Sequence, residues 1–162
     1  MGELTEENSN PFSFSCFLKP EQTAFLCFGN LDRSDDAIGL LIARELKRIF
    51  SHVYSEEFED PINELLTILE DKRIECVTII DACDIKTKIG SVIVSSSINV
   101  AETRLSTHTI PIKQLVELIQ NEGKEFVFIG IQVSNVEFMG KISDEVMNAK
   151  KKILSWFTKE NQ

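Results

Sequence analysis

The sequence predicts a three-layer α/β/α single domain built on a mostly parallel, twisted sheet of about five strands. Apolar, β-branched runs alternate along the chain with segments whose apolar residues recur at spacings of three and four, the signature of amphipathic helices. No repeat or linker divides the 162 residues, and 43% of them are hydrophobic, which is enough for one sizeable core. Strands that alternate with helices in this way are typical of a parallel sheet covered on both faces.

The N-terminal part of the chain contains the clearest transition from strand to helix. Residues 1–20 are polar and are expected to form a weakly ordered extension, and residues 21–162 are expected to form the α/β domain. A buried strand is predicted from Thr23 to Phe28, and a helix from about Asp36 to Phe50. A shorter strand is predicted between residues 52 and 57.

The middle of the chain repeats the alternation. Pro61 opens a predicted helix, because proline is tolerated in a first turn. One face of this helix is expected to carry four apolar residues, Ile62, Leu65, Leu66 and Leu69. The β-branched run from Glu75 to Ile80 predicts a third strand that ends in Asp81 and Ala82, and a fourth strand is predicted from Ser91 to Ser95.

The C-terminal part adds two helices and one strand. Pro111 begins a helix whose apolar face comprises Ile112, Leu115, Val116 and Ile119. The uninterrupted apolar run from Phe126 to Ile131 is typical of a strand buried on both faces. Ser143 is a suitable N-cap for the last helix. The buried stripe of that helix is predicted to contain Val146, Ala149, Ile153 and Phe157.

Composition excludes several classes of function. The net charge of −9 leaves no basic surface for nucleic acid, so no nucleic-acid partner is expected. The sequence contains no G-x-G-x-x-G fingerprint, P-loop or G-x-S-x-G elbow. The four cysteines are not paired in C-x-x-C spacing, which favours reduced thiols in a cytoplasmic protein. No signal peptide or membrane span is predicted, and no membrane partner is expected.

Three polar residues follow predicted strands and are candidates for one site. Asp36 follows the first strand, Asp81 ends the third and His108 lies in the loop after the fourth. Because parallel strands bring their carboxyl ends to the same edge, these side chains are expected to meet there. Two carboxylates and an imidazole suit nickel, zinc or another borderline divalent ion. Each residue alone also fits an ordinary role as a helix cap, turn former or hydrogen-bonded polar group.

Four motifs in this order resemble the hydrogenase maturation protease family, the endopeptidases that trim the large subunit of [NiFe] hydrogenases. The resemblance covers roughly residues 23–157. Its motifs are Gly29-Asn30 followed by Asp35-Asp36 and Ile38-Gly39; Ile79-Ile80-Asp81-Ala82; Thr107-His108-Thr109 with Pro111; and Phe128-Ile129-Gly130-Ile131-Gln132.

The resemblance implies a nickel-recognising endopeptidase that removes a C-terminal extension from a hydrogenase large-subunit precursor. The nickel would be carried by the precursor, although another divalent ion such as zinc also suits the site. The family's metal-binding positions match Asp36, Asp81 and His108, which are therefore the expected metal ligands and catalytic residues. The absence of a convincing nucleophile with its own base agrees with attack by water, and a carboxylate could serve as general base or only as ligand.

Two positions depart from the family pattern. Ala37 stands where the family usually has glycine, and residues 56–60 replace a small, glycine-containing turn with Glu-Glu-Phe-Glu-Asp. This loop is therefore expected to follow a different path, and its acidity suits a basic extension on the partner. The departures keep two alternatives open, namely a non-catalytic metal-checking chaperone of the precursor and a small-anion-binding α/β domain.

Overall fold

A computed structural model describes residues 13–105 and 111–158 of the chain. Five strands form one sheet: β1 Thr23–Cys27, β2 Val53–Ser55, β3 Cys76–Cys83, β4 Val92–Ser95 and β5 Glu125–Gln132. The described helices are α1 Ser15–Leu18, α2 Ile38–Leu46, α3 Leu65–Glu70, α4 Ile98–Ala101, α5 Ile112–Asn121 and α6 Asp144–Thr158.

The sheet is mostly parallel and has the order β2-β1-β3-β5-β4. Strands β2, β1, β3 and β5 run parallel to one another, and β4 pairs with β5 in the antiparallel direction. Apolar side chains from the two faces of the sheet form two separate core clusters. The cluster on one face includes residues of α2 and α6, and the cluster on the other face includes residues of α3, α4 and α5. The predicted three-layer fold with five strands is therefore confirmed.

The predicted apolar faces of the last two helices are correct. Ile112, Leu115, Val116 and Ile119 are the buried residues of α5, and Val146, Ala149, Ile153 and Phe157 are those of α6. The prediction for α3 is wrong at Leu66, whose side chain is exposed. The regular helix begins only at Leu65, so Ile68 and Leu69 complete the buried stripe, and Leu66 falls on the outer side.

Two strand predictions need correction. Strand β3 does not end at Asp81 but continues to Cys83, because β5 pairs with it as far as Gln132. The fourth strand does not deliver its carboxyl end to the shared edge, because β4 is antiparallel to β5. The chain returns to that edge through α4, which the sequence analysis did not predict. Leu105 then donates its N–H to the carbonyl of Ala82 at 2.9 Å.

The described N-terminal residues pack on the body of the domain. Residues 1–12 of the expected extension lie outside the described residues. In α1, Cys16 is buried, and the ring of Phe17 stacks on that of Phe157 with the centroids 4.8 Å apart. All four cysteines are buried and free of disulfide bonds. Within the described ranges, the helices are too short or too polar to cross a membrane.

Candidate functional site

The connections from β1 and β3 diverge at the carboxyl end of the sheet. The chain leaves β1 through α2 towards the edge strand β2, whereas beyond β3 the sheet continues with β5 and β4. In open α/β sheets, ligands bind in the crevice at such a reversal of strand order. Asp36 follows β1 and Asp81 lies in β3, so the structure places these two predicted site residues at the same edge.

Two glycines bring the turn that carries Asp36 close to the strand ends. A Cβ atom on Gly29 would lie 2.3 Å from the carbonyl oxygen of Asp36. A Cβ atom on Gly39 would lie 2.2 Å from the carbonyl oxygen of Phe28 and 3.0 Å from that of Ile80. Helix α2 therefore begins directly against the ends of β1 and β3, which is possible only where these two positions have no side chain.

The surroundings of Asp36 only partly stabilise the negative charge of its carboxylate. Its Oδ1 atom is buried, and no hydrogen-bond partner for it is found within residues 13–105 and 111–158. Burial raises the pKa of Asp36 to about 6. The negative charge of Glu56 also raises this pKa, whereas the positive charge of Arg33 lowers it. A buried acceptor without a donor is costly unless a ligand satisfies it. The unsatisfied carboxylate oxygen of Asp36 is thus suited to bind a divalent cation.

Asp35, the neighbouring carboxylate, has a structural role. It is fully buried and accepts hydrogen bonds from the N–H of Ser143 at 2.7 Å and from its hydroxyl at 3.0 and 3.1 Å. The N–H of Asp35 donates to the carbonyl of Asn135 at 3.0 Å, and the Ser34 hydroxyl donates to that of Glu137 at 2.6 Å. Asp35 therefore fastens the turn after β1 to the segment that leads into α6.

Asp81 lies inside β3, opposite Gly130 of β5, and is completely buried. Its charge acts on the two neighbouring thiols. Burial raises the pKa of Cys83 to about 12, and Asp81 reinforces that increase. Burial likewise raises the pKa of Cys27, again with a contribution from Asp81. Since a thiolate is the reactive form of cysteine, Cys83 is a poor candidate for a nucleophile.

Glu56 also lies at this edge, although the sequence pattern indicates only that it belongs to a divergent loop. Its Oε1 accepts a hydrogen bond of 3.0 Å from the N–H of Gly29, and its charge acts on Asp36. Glu56 immediately follows β2, whose carboxyl end lies at the same edge as that of β1. Glu56 follows a parallel strand just as Asp36 does, so its position at this edge is also predictable from the sequence.

The rest of the divergent loop folds without glycine. None of residues 56–60 has a positive φ angle. The N–H groups of Phe58 and Glu59 close a turn on the carbonyl of Ser55, at 3.1 and 2.8 Å. Glu57 pairs with Arg44 and Glu59 with Lys47. Two acidic side chains of this loop are therefore paired with basic residues of the same chain. This does not favour the expected role of the loop in binding a basic extension.

The third predicted ligand, His108, lies outside the described residues. The described part of the chain, without 106–110, contains no group of three or more His, Cys, Asp or Glu side chains placed to hold one ion. Of the predicted trio, the structure therefore brings Asp36 and Asp81 to one edge, and the position of the imidazole stays a prediction. The segment that leads to His108 is fixed at this edge by the hydrogen bond from Leu105 to Ala82.

Comparisons with known proteins identify the family and the fold. A family model described as HycI, hydrogenase maturation protease, matches residues 61–160, well over half of the chain. The hydrogenase 3 maturation protease of Escherichia coli K12 is 27% identical over 127 residues, which cover 76% of this chain and 81% of that protein.

Two solved structures are also similar. The endopeptidase HycI from Escherichia coli, solved in solution, has a TM-score of 0.66 and 25% identity, and the match covers 81% of this chain and 85% of that one. The crystal structure of the [NiFe] hydrogenase maturation protease HycI from Thermococcus kodakarensis has a TM-score of 0.66 and 23% identity, with coverages of 82% and 87%. The second match shows the fold alone.

Proposed function

Because the chain belongs to the hydrogenase maturation protease family, we propose that it is the endopeptidase that removes a C-terminal extension from a [NiFe] hydrogenase large-subunit precursor. The peptidase activity follows from the family and from its named endopeptidase relatives. The finer part of the proposal is that cleavage depends on nickel already present in the precursor. The buried, unsatisfied oxygen of Asp36 carries this part, because it is an acceptor at the sheet edge with no donor from the described residues.

In this proposal the chain supplies oxygen ligands, and the precursor brings the ion. The carboxylates of Asp36 and Asp81 and the imidazole of His108 bind the nickel of the precursor. Such an ion polarises the scissile carbonyl as a Lewis acid. Water then adds to the carbonyl carbon, the C–N bond breaks, and a proton is transferred to the leaving amine. A carboxylate near the ion serves as general base if it is not used as a ligand.

The proposal is tested by incubating the purified protein with nickel-loaded and nickel-free forms of its cognate precursor. Mass spectrometry should show the loss of one defined C-terminal peptide from the loaded form only. Asp36→Asn, Asp81→Asn and His108→Ala should each reduce the cleavage rate at least about a hundredfold. Asp32→Asn is a matched control, because Asp32 belongs to the same loop and is exposed to solvent.

Three outcomes would contradict the proposal. Equal cleavage of both precursor forms would remove the role of nickel, and full activity in all three site variants would remove the site. Tight binding of the loaded precursor without cleavage would instead favour the metal-checking chaperone.

A further inference from the structure

The backbone of Arg104 is fixed beside the residues that follow Asp81 in β3. Arg104 forms an isolated antiparallel bridge with Cys83. On either side of it, the N–H of Asp84 donates to the carbonyl of Thr103 at 3.0 Å, and Leu105 donates to Ala82 at 2.9 Å. Arg104 therefore has a defined position at the carboxyl edge of the sheet, close to the end of β3.

The side chain of Arg104 is directed to the acidic site. Its guanidinium carbon lies 5.7 Å from the centre of the Phe28 ring, which is fully buried at the end of β1. The guanidinium interacts favourably with the carboxylates of Asp81 and Glu56, and these interactions partly offset the lowering of the Arg104 pKa by burial. The backbone bridge and the Phe28 ring thus place the guanidinium beside the acidic site, where the charges of Asp81 and Glu56 attract it.

The charges at this edge give Arg104 a definite effect on cations. The site contains three carboxylates, those of Asp36, Glu56 and Asp81. Their negative charge is offset by the half-buried guanidinium of Arg104 and by Arg33. Arg33 is exposed, so solvent screens its charge more strongly. A divalent ion that reaches Asp81 enters the field of the guanidinium. Repulsion between like charges is strong where water is partly excluded.

We propose that Arg104 is an internal counter-ion that weakens the binding of free divalent cations, so that the site favours an ion presented by a bound partner. This inference deepens the proposed function and rests on it, because it assigns the specificity of the same site. In the free protein the charge of Arg104 partly offsets the charge of the acids, and the contacts of a docked precursor supply the additional affinity that delivery of its ion requires. Arg104 is accordingly a specificity-determining residue and not a ligand.

The test is a calorimetric titration of the full-length, metal-free protein with Ni²⁺ as its chloride. Replacing Arg104 by a neutral residue should tighten Ni²⁺ binding by about tenfold or more, because a half-buried positive charge that acts on Asp81 is removed. Arg104→Gln and Arg104→Met are both used, since methionine keeps the apolar contact with Phe28 if glutamine impairs folding. Arg104→Lys retains the charge and should stay within about threefold of the wild type.

Two further variants define the location of the effect. Arg48→Gln is the control for a general change in net charge, because the side chain of this arginine is 78% exposed and is paired with Glu45. It should leave the affinity for Ni²⁺ unchanged. The double variant Asp81→Asn/Arg104→Gln should not show the tighter Ni²⁺ binding, because the carboxylate on which the arginine acts is then absent.

The proposal is overturned if neither neutral variant binds Ni²⁺ more tightly than the wild type, including the case in which none of the proteins binds it. It is also overturned if Arg104→Lys increases the affinity for Ni²⁺ as much as Arg104→Gln does. The effect would then come from the shape of the side chain and not from its charge. The proposed function fails by a different observation, the survival of nickel-loaded precursor in the cleavage assay with the wild-type protein.

Discussion

At the scale of single residues, the site is defined by acids whose surroundings differ. Asp35 is buried and fully hydrogen-bonded to Ser143, whereas Asp36, the next residue, keeps one buried oxygen without a donor from the described residues. Asp81 is buried in a strand, and Glu56 is exposed and bonded to a backbone N–H. Asp36 thus has a buried acceptor that no described residue satisfies, and its protonation should be measurable through the stability of the free protein.

Replacing Asp36 with asparagine should change how stability depends on pH. The pKa of Asp36 is about 6 in the folded chain against 3.8 for the unperturbed group, so its favourable contribution is complete below pH 3.8 and is lost as the pH rises through 6. Asp36→Asn should therefore match the wild type near pH 4 and be more stable at pH 8 by about 1–3 kcal/mol, the lower end reflecting partial exposure to solvent.

Urea denaturation of both proteins from pH 4 to pH 8 measures this difference, and Asp32→Asn provides the matched control. A constant difference across the whole range would contradict the prediction, because it would show that ionisation of Asp36 carries no cost in the folded chain.

At the scale of the elements, local pattern predicted the four longer helices, α2, α3, α5 and α6. It failed where pairing between distant segments decides the structure. The spacing of Ile112 and Ile119 located the buried face of α5 without further information. Arg104 carries no such signal, because its place depends on pairing with Cys83. The antiparallel direction of β4 was equally hidden, since a run of apolar residues does not specify strand direction.

Gly39 is a test of the close approach between α2 and the strand ends. Helix propensity alone would make Gly39→Ala stabilising by about 0.5–1 kcal/mol. The new methyl group would lie 2.2 Å from the carbonyl oxygen of Phe28, and a backbone atom cannot move away cheaply. The clash should therefore prevail, and we expect a net loss of about 1–3 kcal/mol in the free energy of unfolding.

Chemical denaturation measures this loss. Gly123→Ala is a useful comparison, because no atom lies within 4 Å of the added methyl group and only its φ of +73° opposes the change. Its loss should be about 1 kcal/mol, from backbone strain alone. A Gly39→Ala protein as stable as the wild type would show that α2 can move away from β1 without cost.

The hydrogen bonds between Asp35 and Ser143 join the turn after β1 to the start of α6. Asp35→Asn keeps the size of the side chain but replaces a charged acceptor, and it should lower the free energy of unfolding by about 1–3 kcal/mol. Because Asn135 and Glu137 bond to the same turn, amide hydrogen exchange should accelerate in residues 133–143.

Ser143→Ala removes the two hydroxyl bonds and leaves the N–H bond, so its effect should be smaller than that of Asp35→Asn. The double variant should be less destabilised than the sum of the two single variants, because both act on one group of bonds. Unchanged exchange in residues 133–143 would show that this connection does not hold the segment.

At the scale of the whole molecule, the order of the strands explains why the candidate site lies where it does. The chain moves outwards from β1 to β2 and then returns past β1 to β3, so the crevice opens between the residues after β1 and those at the end of β3. Both ends of the described chain also meet on one face of the sheet, because residues of α1 and α6 belong to the same core cluster. The predicted fold class contained this crevice, but not the contact between the two ends.

An aromatic cluster connects the ends of the described chain. Phe157 of α6 stacks on Phe17 at 4.8 Å and meets Phe25 of β1 edge-on at 5.2 Å. Phe157→Ala should lower the free energy of unfolding by about 3–5 kcal/mol, because the side chain is only 7% exposed. Phe17→Ala should cost less, because Phe17 is only partly buried.

A double-mutant cycle tests whether the two ends stabilise each other directly. The coupling between Phe17→Ala and Phe157→Ala should be about 0.5–1.5 kcal/mol, the value expected for a stacked aromatic pair. Leu115 packs on the opposite face of the sheet, so Phe17→Ala and Leu115→Ala should be additive within about 0.5 kcal/mol. Additivity of the aromatic pair as well would mean that α1 contributes to stability only through its own burial, independently of α6.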